Sequence, residues 1–121
     1  MAKVLVVDDS PTQVFQFKGM LEGQGYIVVT AGNGRDAIEL ANAEQPDLVL
    51  MDIVMPEMNG FQATRQICRS ESTHHIPVII VSSKAQEADK TWGSRQGAKG
   101  YITKPVKGRE LLTAIKGVIG A

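Results

Sequence analysis

Short apolar runs alternate along the chain with longer amphipathic segments. Each run is rich in valine, isoleucine or leucine, as in strands that are buried on both faces of a parallel sheet. The runs predict strands over residues 3–7, 27–30, 48–51, 78–81 and 100–102. The intervening segments predict helices that begin near Ser10, cover 34–43, follow Gly60, and cover 86–96 and 107–119.

Five strands that each precede a helix predict an α/β fold with a right-handed, doubly wound parallel sheet. The first helix has a clear start signal, because Ser10 can cap it and Pro11 suits its first position. Gln13 stands three residues after Ser10, so a capping box is possible there. The pattern leaves no residues for a second domain, so 1–121 is expected to form one unit.

Polar side chains stand where four of the apolar runs end. Asp8 and Asp9 follow the first run, Asp52 the third, Ser82 the fourth, and Lys104 comes shortly after the fifth. Parallel strands end at one shared edge of an open sheet, so these side chains are expected to meet there. Clustered carboxylates repel by a few kcal/mol at about 4 Å under an effective dielectric near 20. The cluster therefore indicates a cation site.

Composition narrows the range of partners and compartments. The chain has 13 basic and 13 acidic residues, which gives no electrostatic reason to expect binding to nucleic acid or an anionic membrane. A single cysteine, Cys68, excludes an internal disulfide, suits a reducing cytoplasm and is expected to be packed or half-buried. No apolar stretch approaches the roughly 20 residues of a membrane span, and the N-terminus lacks a signal-peptide layout. We therefore predict a cytoplasmic protein.

Each candidate residue also has a purely structural interpretation. An aspartate after a strand often caps a turn or a helix, so Asp8 or Asp9 alone would decide nothing. Ser83 competes with Ser82 for the role of the strand-end hydroxyl, and the distance from Pro77 favours Ser82. Only the combination of these residues with Asp52 and Lys104 indicates a functional site.

Other residues favour structural roles. Trp92 shares a helical stripe with Ala85 and Ala88, so we predict that its ring lies in the core or half-buried. His74 and His75 are adjacent and lack helical metal-ligand spacing, which indicates a solvated loop.

Several motifs together resemble the response-regulator receiver domain, the phosphoacceptor half of bacterial two-component signalling. They are the pair Asp8-Asp9, MDIVMPEMNG at 51–60, PVIIV at 77–81 followed by Ser82, and GYITKP at 100–105. The resemblance covers essentially the whole chain and implies a CheY-like, flavodoxin-like sheet of order 2-1-3-4-5 without an output domain. Within the family, FQATRQ at 61–66 and DKTWGSRQGA at 89–98 resemble the PilH-type regulators of type IV pilus, or twitching-motility, chemosensory systems.

The resemblance implies a phosphorylation site with a bound metal. Asp52 is then the phosphoacceptor. Asp9 and Asp52 bind Mg²⁺ together with the backbone carbonyl of Val54, and Asp8 acts largely through water. An all-oxygen site of this kind suits Mg²⁺, which keeps several of its waters.

The remaining site residues are implied to form a switch. Lys104 pairs with Asp52 at rest and with a phosphoryl oxygen afterwards, and its peptide bond to Pro105 is expected to be cis. Ser82 hydrogen-bonds another phosphoryl oxygen, and Tyr101 turns toward the space that Ser82 leaves. The alternative for Tyr101 is a purely structural role as a half-buried aromatic ring with no switching function.

The resemblance also implies partners. The phosphodonor is a sensor histidine kinase, CheA-like or hybrid, and the receiver of the signal is a downstream motility or pilus protein. The chain is expected to act as a monomer and as a signalling protein rather than an enzyme, with only self-catalysed phosphotransfer and autodephosphorylation. A phosphate sink for a shared kinase is the alternative role.

Two other classes fit the topology less well. A Mg²⁺-dependent phosphohydrolase resembling the haloacid dehalogenase family needs Asp-x-Asp at the first strand, and Asp8-Asp9-Ser10 lacks the second acid. A flavodoxin-like cofactor module needs a phosphate loop at this point, where the aspartates would repel a phosphate. It also needs aromatic rings for the flavin, and only 5% of the chain is aromatic.

Overall fold

The computed structural model describes residues 2–120. The strands are β1 Lys3–Val7, β2 Ile27–Ala31, β3 Leu48–Met51, β4 Val78–Ser82 and β5 Gly100–Thr103. The helices are α1 Pro11–Glu22, α2 Gly34–Glu44, α3 Gly60–Arg69, α4 Glu87–Arg95 and α5 Gly108–Ile119. Every predicted strand and helix is present, with ends that differ by at most one residue. Ser82 is the last residue of β4 rather than the first residue after it.

The sheet is parallel throughout and has the order β2-β1-β3-β4-β5, which confirms the predicted fold class. Its register brings the C-terminal ends of the central strands level. Val7 of β1 lies beside Met51 of β3, and Met51 lies beside Ile80 of β4. The residues that follow β1 and β3 are therefore neighbours at one edge of the sheet.

Two apolar layers hold the helices to the sheet. Alternate residues of a strand point to opposite faces, so Leu5 packs in one layer and Val6 in the other. The first layer lies beneath α2 and α3, with Ala41 and Ile67 among its members. The second lies beneath α1 and α5 and includes Leu21. The first layer includes Val7 and Met51, the last residues of β1 and β3, so the polar residues begin where this apolar layer ends.

Helix α4 packs against the sheet in a way that makes the prediction for Trp92 wrong. Trp92 is 46% exposed, and Ala85 and Ala88 are exposed as well. The helix faces the sheet through Gly93, where a β-carbon would come within 2.8 Å of the Ile80 side chain. Because this close approach fixes the rotation of α4, the stripe that carries Trp92 faces solvent.

The start of α1 differs in one detail from the predicted capping box. Ser10 does cap the helix, since its hydroxyl accepts the backbone N–H of Gln13 at 3.4 Å. The backbone N–H of Ser10, however, donates to Asp8 Oδ1 at 2.9 Å rather than to the Gln13 side chain. One oxygen of Asp8 is thus used to fix the loop after β1.

The single cysteine and the two histidines have the predicted exposure. Cys68 is half-buried as predicted, and burial raises the pKa of its thiol, which disfavours the reactive thiolate. His74 and His75 are exposed. No helix among residues 2–120 combines the length and the apolar character that a membrane crossing requires.

Candidate functional site

Three carboxylates meet at the C-terminal edge of the sheet. Oxygen atoms of Asp8, Asp9 and Asp52 lie within 4.8 Å of one another. The Asp8 and Asp52 residues are buried, with 3% and 8% of their surface exposed, whereas Asp9 is exposed. The backbone sets this arrangement, because the Asp52 N–H donates to the carbonyl of Val7 at 3.0 Å and aligns the two strand ends.

Lys104 reaches the same cluster from the loop after β5. Its Nζ lies 2.8 Å from Asp8 Oδ2 and 3.3 Å from Asp52 Oδ1, so the shorter contact is with Asp8 rather than with the predicted partner Asp52. The backbone N–H of Lys104 donates to the Ser82 carbonyl at 2.8 Å. The Lys104–Pro105 peptide bond is cis, as the sequence resemblance implied.

The charges in the cluster perturb one another. Burial raises the pKa of Asp52 and repulsion by Asp8 raises it further, while Lys104 offsets only part of this. Burial alone would lower the pKa of Lys104, but its hydrogen bond to Asp8 and the charge of Asp52 raise it above its ordinary value. The cluster holds three carboxylates and one ammonium group, so its ionised form has an excess of negative charge. This excess matches a divalent cation with a preference for oxygen ligands.

Neutralising Asp52 should stabilise the metal-free fold. Because its pKa is raised on folding, the ionised form destabilises the folded state above the folded pKa, and this cost vanishes as the pH falls below the ordinary value of 3.8. In EDTA, Asp52→Asn should raise the free energy of unfolding at pH 7 by about 1–2 kcal/mol, less than the full repulsion between the carboxylates because Lys104 offsets part of it. Urea unfolding should show this gain shrinking as the pH falls toward 4. A loss of stability at pH 7, with Glu39→Gln unchanged, would contradict this reading.

The loop after Asp52 contains the Val54 carbonyl, which the family resemblance assigned to the metal. Val54 is exposed two residues after Asp52. Within residues 2–120, no backbone hydrogen bond uses its carbonyl oxygen. The loop closes on itself at the start of α3, where the Gly60 N–H donates to the Ile53 carbonyl at 2.8 Å. The Val54 carbonyl is thus free to ligate a cation.

Gly60 has a role that the sequence pattern does not reveal. A β-carbon at this position would overlap the backbone carbonyl oxygen of Asp52 and would lie 2.8 Å from the Ile53 α-carbon. Asn59 and Gln62 fix the helix start with a capping box, in hydrogen bonds of 2.9 and 3.0 Å. The pair Asn59-Gly60 signals a helix start in the sequence, but the contact with Asp52 exists only in the folded chain.

Ser82 and Tyr101 meet at the loop between β4 and α4. Ser82 is buried, and its hydroxyl accepts the backbone N–H of Lys84 at 3.1 Å. The Tyr101 hydroxyl donates to the carbonyl oxygen of the same residue, Lys84. Ser83 is exposed, so Ser82 is the better placed of the two hydroxyls. In this structure the Ser82 hydroxyl is engaged with the loop rather than with the carboxylates.

Comparison with known proteins gives consistent similarities. The profile of the response regulator receiver domain matches residues 4–116. Protein PilH of Pseudomonas aeruginosa PAO1 is 56% identical over 119 residues, which are 98% of this chain and 98% of that protein.

Two solved structures share the fold. The chemotaxis response regulator CheY4 of Vibrio cholerae superposes with a TM-score of 0.91 at 31% identity, over 98% of both chains. The receiver domain of sensor histidine kinase PA1611 from P. aeruginosa PAO1 has a TM-score of 0.91 at 30% identity, over 99% of this chain and 98% of that one. That structure has a magnesium ion coordinated in its active site cleft. With these matches over nearly its full length, the chain belongs to the response regulator receiver domain family.

Proposed function

We propose that the chain accepts a phosphoryl group from a histidine kinase on the carboxylate of Asp52. A buried carboxylate that shares its pocket with two further carboxylates and an ammonium group carries this proposal. A carboxylate oxygen of Asp52 forms the bond to phosphorus while the bond from phosphorus to the donor imidazole nitrogen breaks. The electron pair of that bond returns to the imidazole. Such a transfer depends mainly on positioning and charge stabilisation, which the pocket supplies.

The residues present fit Mg²⁺. Asp9 and Asp52 would hold it together with the Val54 carbonyl, and Asp8 would act through water because one of its oxygens is bound to Lys104 and the other to the Ser10 N–H. When bound, the ion offsets the negative charge of the carboxylates and of the incoming phosphoryl oxygens. The net charge of the cluster and the magnesium ion in a related receiver support this assignment.

Lys104 is the group that can follow the phosphoryl oxygen. Its contact with Asp52, at 3.3 Å, is longer than its contact with Asp8, at 2.8 Å. The ammonium can therefore give up Asp52 to a phosphoryl oxygen while Asp8 keeps it in the pocket. Asp8 thus positions Lys104 in addition to contributing charge to the metal site.

Ser82 and Tyr101 give the pocket a route to the surface. A rotation of the Ser82 hydroxyl toward a phosphoryl oxygen would weaken the hydrogen bond that it now accepts from the Lys84 N–H. Tyr101 holds the carbonyl of the same residue, so movement of Lys84 also moves or frees the tyrosine. Because Tyr101 contacts α4 at Gly93, the change reaches the face formed by α4, β5 and α5.

The 56% identity to PilH supports a place in type IV pilus or twitching-motility chemosensory signalling. In this proposal the chain works as a single receiver domain that takes phosphate from a CheA-like or hybrid kinase. Its signal leaves through contacts with a downstream motility or pilus protein.

Labelling tests the function directly. A purified, radiolabelled phosphohistidine kinase should pass its label to the chain in Mg²⁺, and EDTA should suppress the transfer because the pocket's charge is then unbalanced. The label on the chain should be sensitive to hydroxylamine, as an acyl phosphate is. No transfer from a panel of histidine kinases, and none from acetyl phosphate in Mg²⁺, would overturn the proposal.

Fluorescence of Trp92 tests the switch. Trp92 lies on α4 beside Gly93, whose neighbour is the Tyr101 ring, whereas the carboxylates follow β1 and β3. Mg²⁺ alone should barely change its emission. Beryllofluoride, which mimics the phosphoryl group, should change it clearly, because the Tyr101 ring would repack against α4. Tyr101→Ala should blunt this second response without preventing modification of Asp52.

The opposite fluorescence result would contradict the proposed switch. Strong quenching by Mg²⁺ with no further change on beryllofluoride would show that the face around Tyr101 stays rigid. The chain would then act as a phosphate sink for a kinase that it shares with another regulator.

A further inference from the structure

A groove runs along α3 on a flank of the molecule that the proposed phosphorylation chemistry does not use. It has a volume of about 430 Å³ and is lined by Glu57, Met58, Gln62, Arg65, Gln66 and Arg69. A second hollow of about 180 Å³ shares Glu57 and Met58 with it and extends to Arg35 at the start of α2. We call the two together the arginine groove.

The arginines of this groove carry charge that the chain does not neutralise. Arg65 and Arg69 are exposed and stand one helical turn apart, a spacing at which like charges destabilise a helix. Within the described part of the chain, neither they nor Arg35 form an ion pair with a carboxylate. Three guanidinium groups thus face one carboxylate, Glu57, in a chain whose total charge is zero.

A strained turn at residues 56–58 lies where the two hollows join. Glu57 has a φ of 68°, and the Met58 N–H donates to the Pro56 carbonyl at 2.8 Å across it. This is a γ-turn, and its central residue has a positive φ that residues other than glycine rarely adopt. Met58 packs closely over Gly34, where a β-carbon would lie 3.0 Å from its side chain. The floor of the arginine groove is therefore formed before any ligand arrives.

We propose that the arginine groove binds a short acidic segment of a protein partner in an extended conformation. Guanidinium groups pair with carboxylates through two parallel hydrogen bonds, which suits Asp and Glu side chains. Gln66 offers an amide donor and acceptor beside the arginines for a peptide backbone, whereas Gln62, whose amide oxygen accepts the Asn59 N–H, offers only its amide donor. Met58 gives an adaptable apolar contact. Residues 62–69 span about 10 Å of helix, the length of about three extended residues.

A nucleic acid fits the same surface less well. Nucleic acids are held mainly by neutralising many phosphates, and the arginine groove offers three cations with Glu57 among them. The zero net charge of the chain supplies no wider attraction for a polyanion. A peptide with two or three carboxylates and an apolar side chain matches the lining more closely.

NMR titration can test this site on the full chain. The probe is a peptide of about eight residues that alternates glutamate with leucine, a length that exceeds the groove. It should shift backbone resonances of residues 57–69 and of Arg35. Arg65→Gln combined with Arg69→Gln should weaken binding at least tenfold. The matched control, Arg95→Gln combined with Arg109→Gln, removes the same charge from α4 and α5 and should keep the parent affinity.

Each other result overturns the proposal. Shifts centred on α4, β5 and α5 would place the peptide elsewhere, and equal weakening by the control pair would show attraction to total charge alone. Equal binding of a glutamine-leucine peptide would remove the role of carboxylates. Tighter binding of a single-stranded RNA with the same number of charges would identify the wrong class of partner. No shifts at millimolar peptide would mean that the groove does not take acidic segments.

Discussion

Asp52→Asn is expected to take up no detectable phosphoryl group from a phosphohistidine kinase or from acetyl phosphate in Mg²⁺. The amide keeps the shape of the carboxylate but lacks the negative charge that makes the oxygen a nucleophile. Because the substitution also removes a buried charge with a raised pKa, the variant should fold at least as stably as the parent. The loss of label would therefore report chemistry and not unfolding.

The control for this experiment is Glu39→Gln, which removes a charge from the exposed side of α2 and should label as the parent does. Urea unfolding of both variants completes the comparison. If Asp52→Asn is labelled as strongly as the parent, the phosphoacceptor lies elsewhere, and Asp8 and Asp9 become the next residues to test.

The strand ends of this protein could be predicted because the physics behind them is local. A run as apolar as Val4–Val7 predicts a buried strand, and the charged Asp8 directly after it needs polar partners at the strand end. The parallel topology then brings Asp8, Asp52 and Lys104 to one edge without further information. Their proximity was thus encoded in the pattern of the sequence.

The pattern of apolar and polar residues does not predict which side chains pair within the pocket. The shorter contact of Lys104 is with Asp8, and the order of apolar and polar residues does not distinguish Asp8 from Asp52 as its partner. The bond from Tyr101 to the Lys84 carbonyl depends on the course of the loop after β4. Such details follow from loop geometry, which a periodic pattern does not report.

The exposure of Trp92 shows that a periodic pattern also fails to determine how a helix packs. Its stripe with Ala85 and Ala88 has the spacing of a buried face, yet α4 is short and contributes only Gly93 to the buried residues. Contact at Gly93 outweighs the apolar stripe because a helix can approach the sheet most closely where it has no side chain. A glycine that acts as a packing surface gives no hydrophobic signal.

Gly60 is the second such glycine, and Gly60→Ala should be among the most damaging single substitutions in the chain. The new methyl group would overlap the carbonyl oxygen of Asp52, which is backbone and can move only with β3 and the loop after it. We expect a loss of at least about 3 kcal/mol in the free energy of unfolding, the size of severe overpacking. Urea unfolding in EDTA measures this loss without the contribution of bound metal.

Gly117→Ala is the matched control, because Gly117 lies in α5 with no atom within 4 Å of its added methyl group. That substitution should stabilise the chain by about 0.5–1 kcal/mol through helix propensity. At temperatures where the Gly60 variant is still folded, its phosphorylation should also be slower than the parent's, because Asp52 and the Val54 carbonyl must shift together. Equal stability and equal labelling of the Gly60 variant would show that the loop after β3 yields easily and that the close approach of α3 does not position the site.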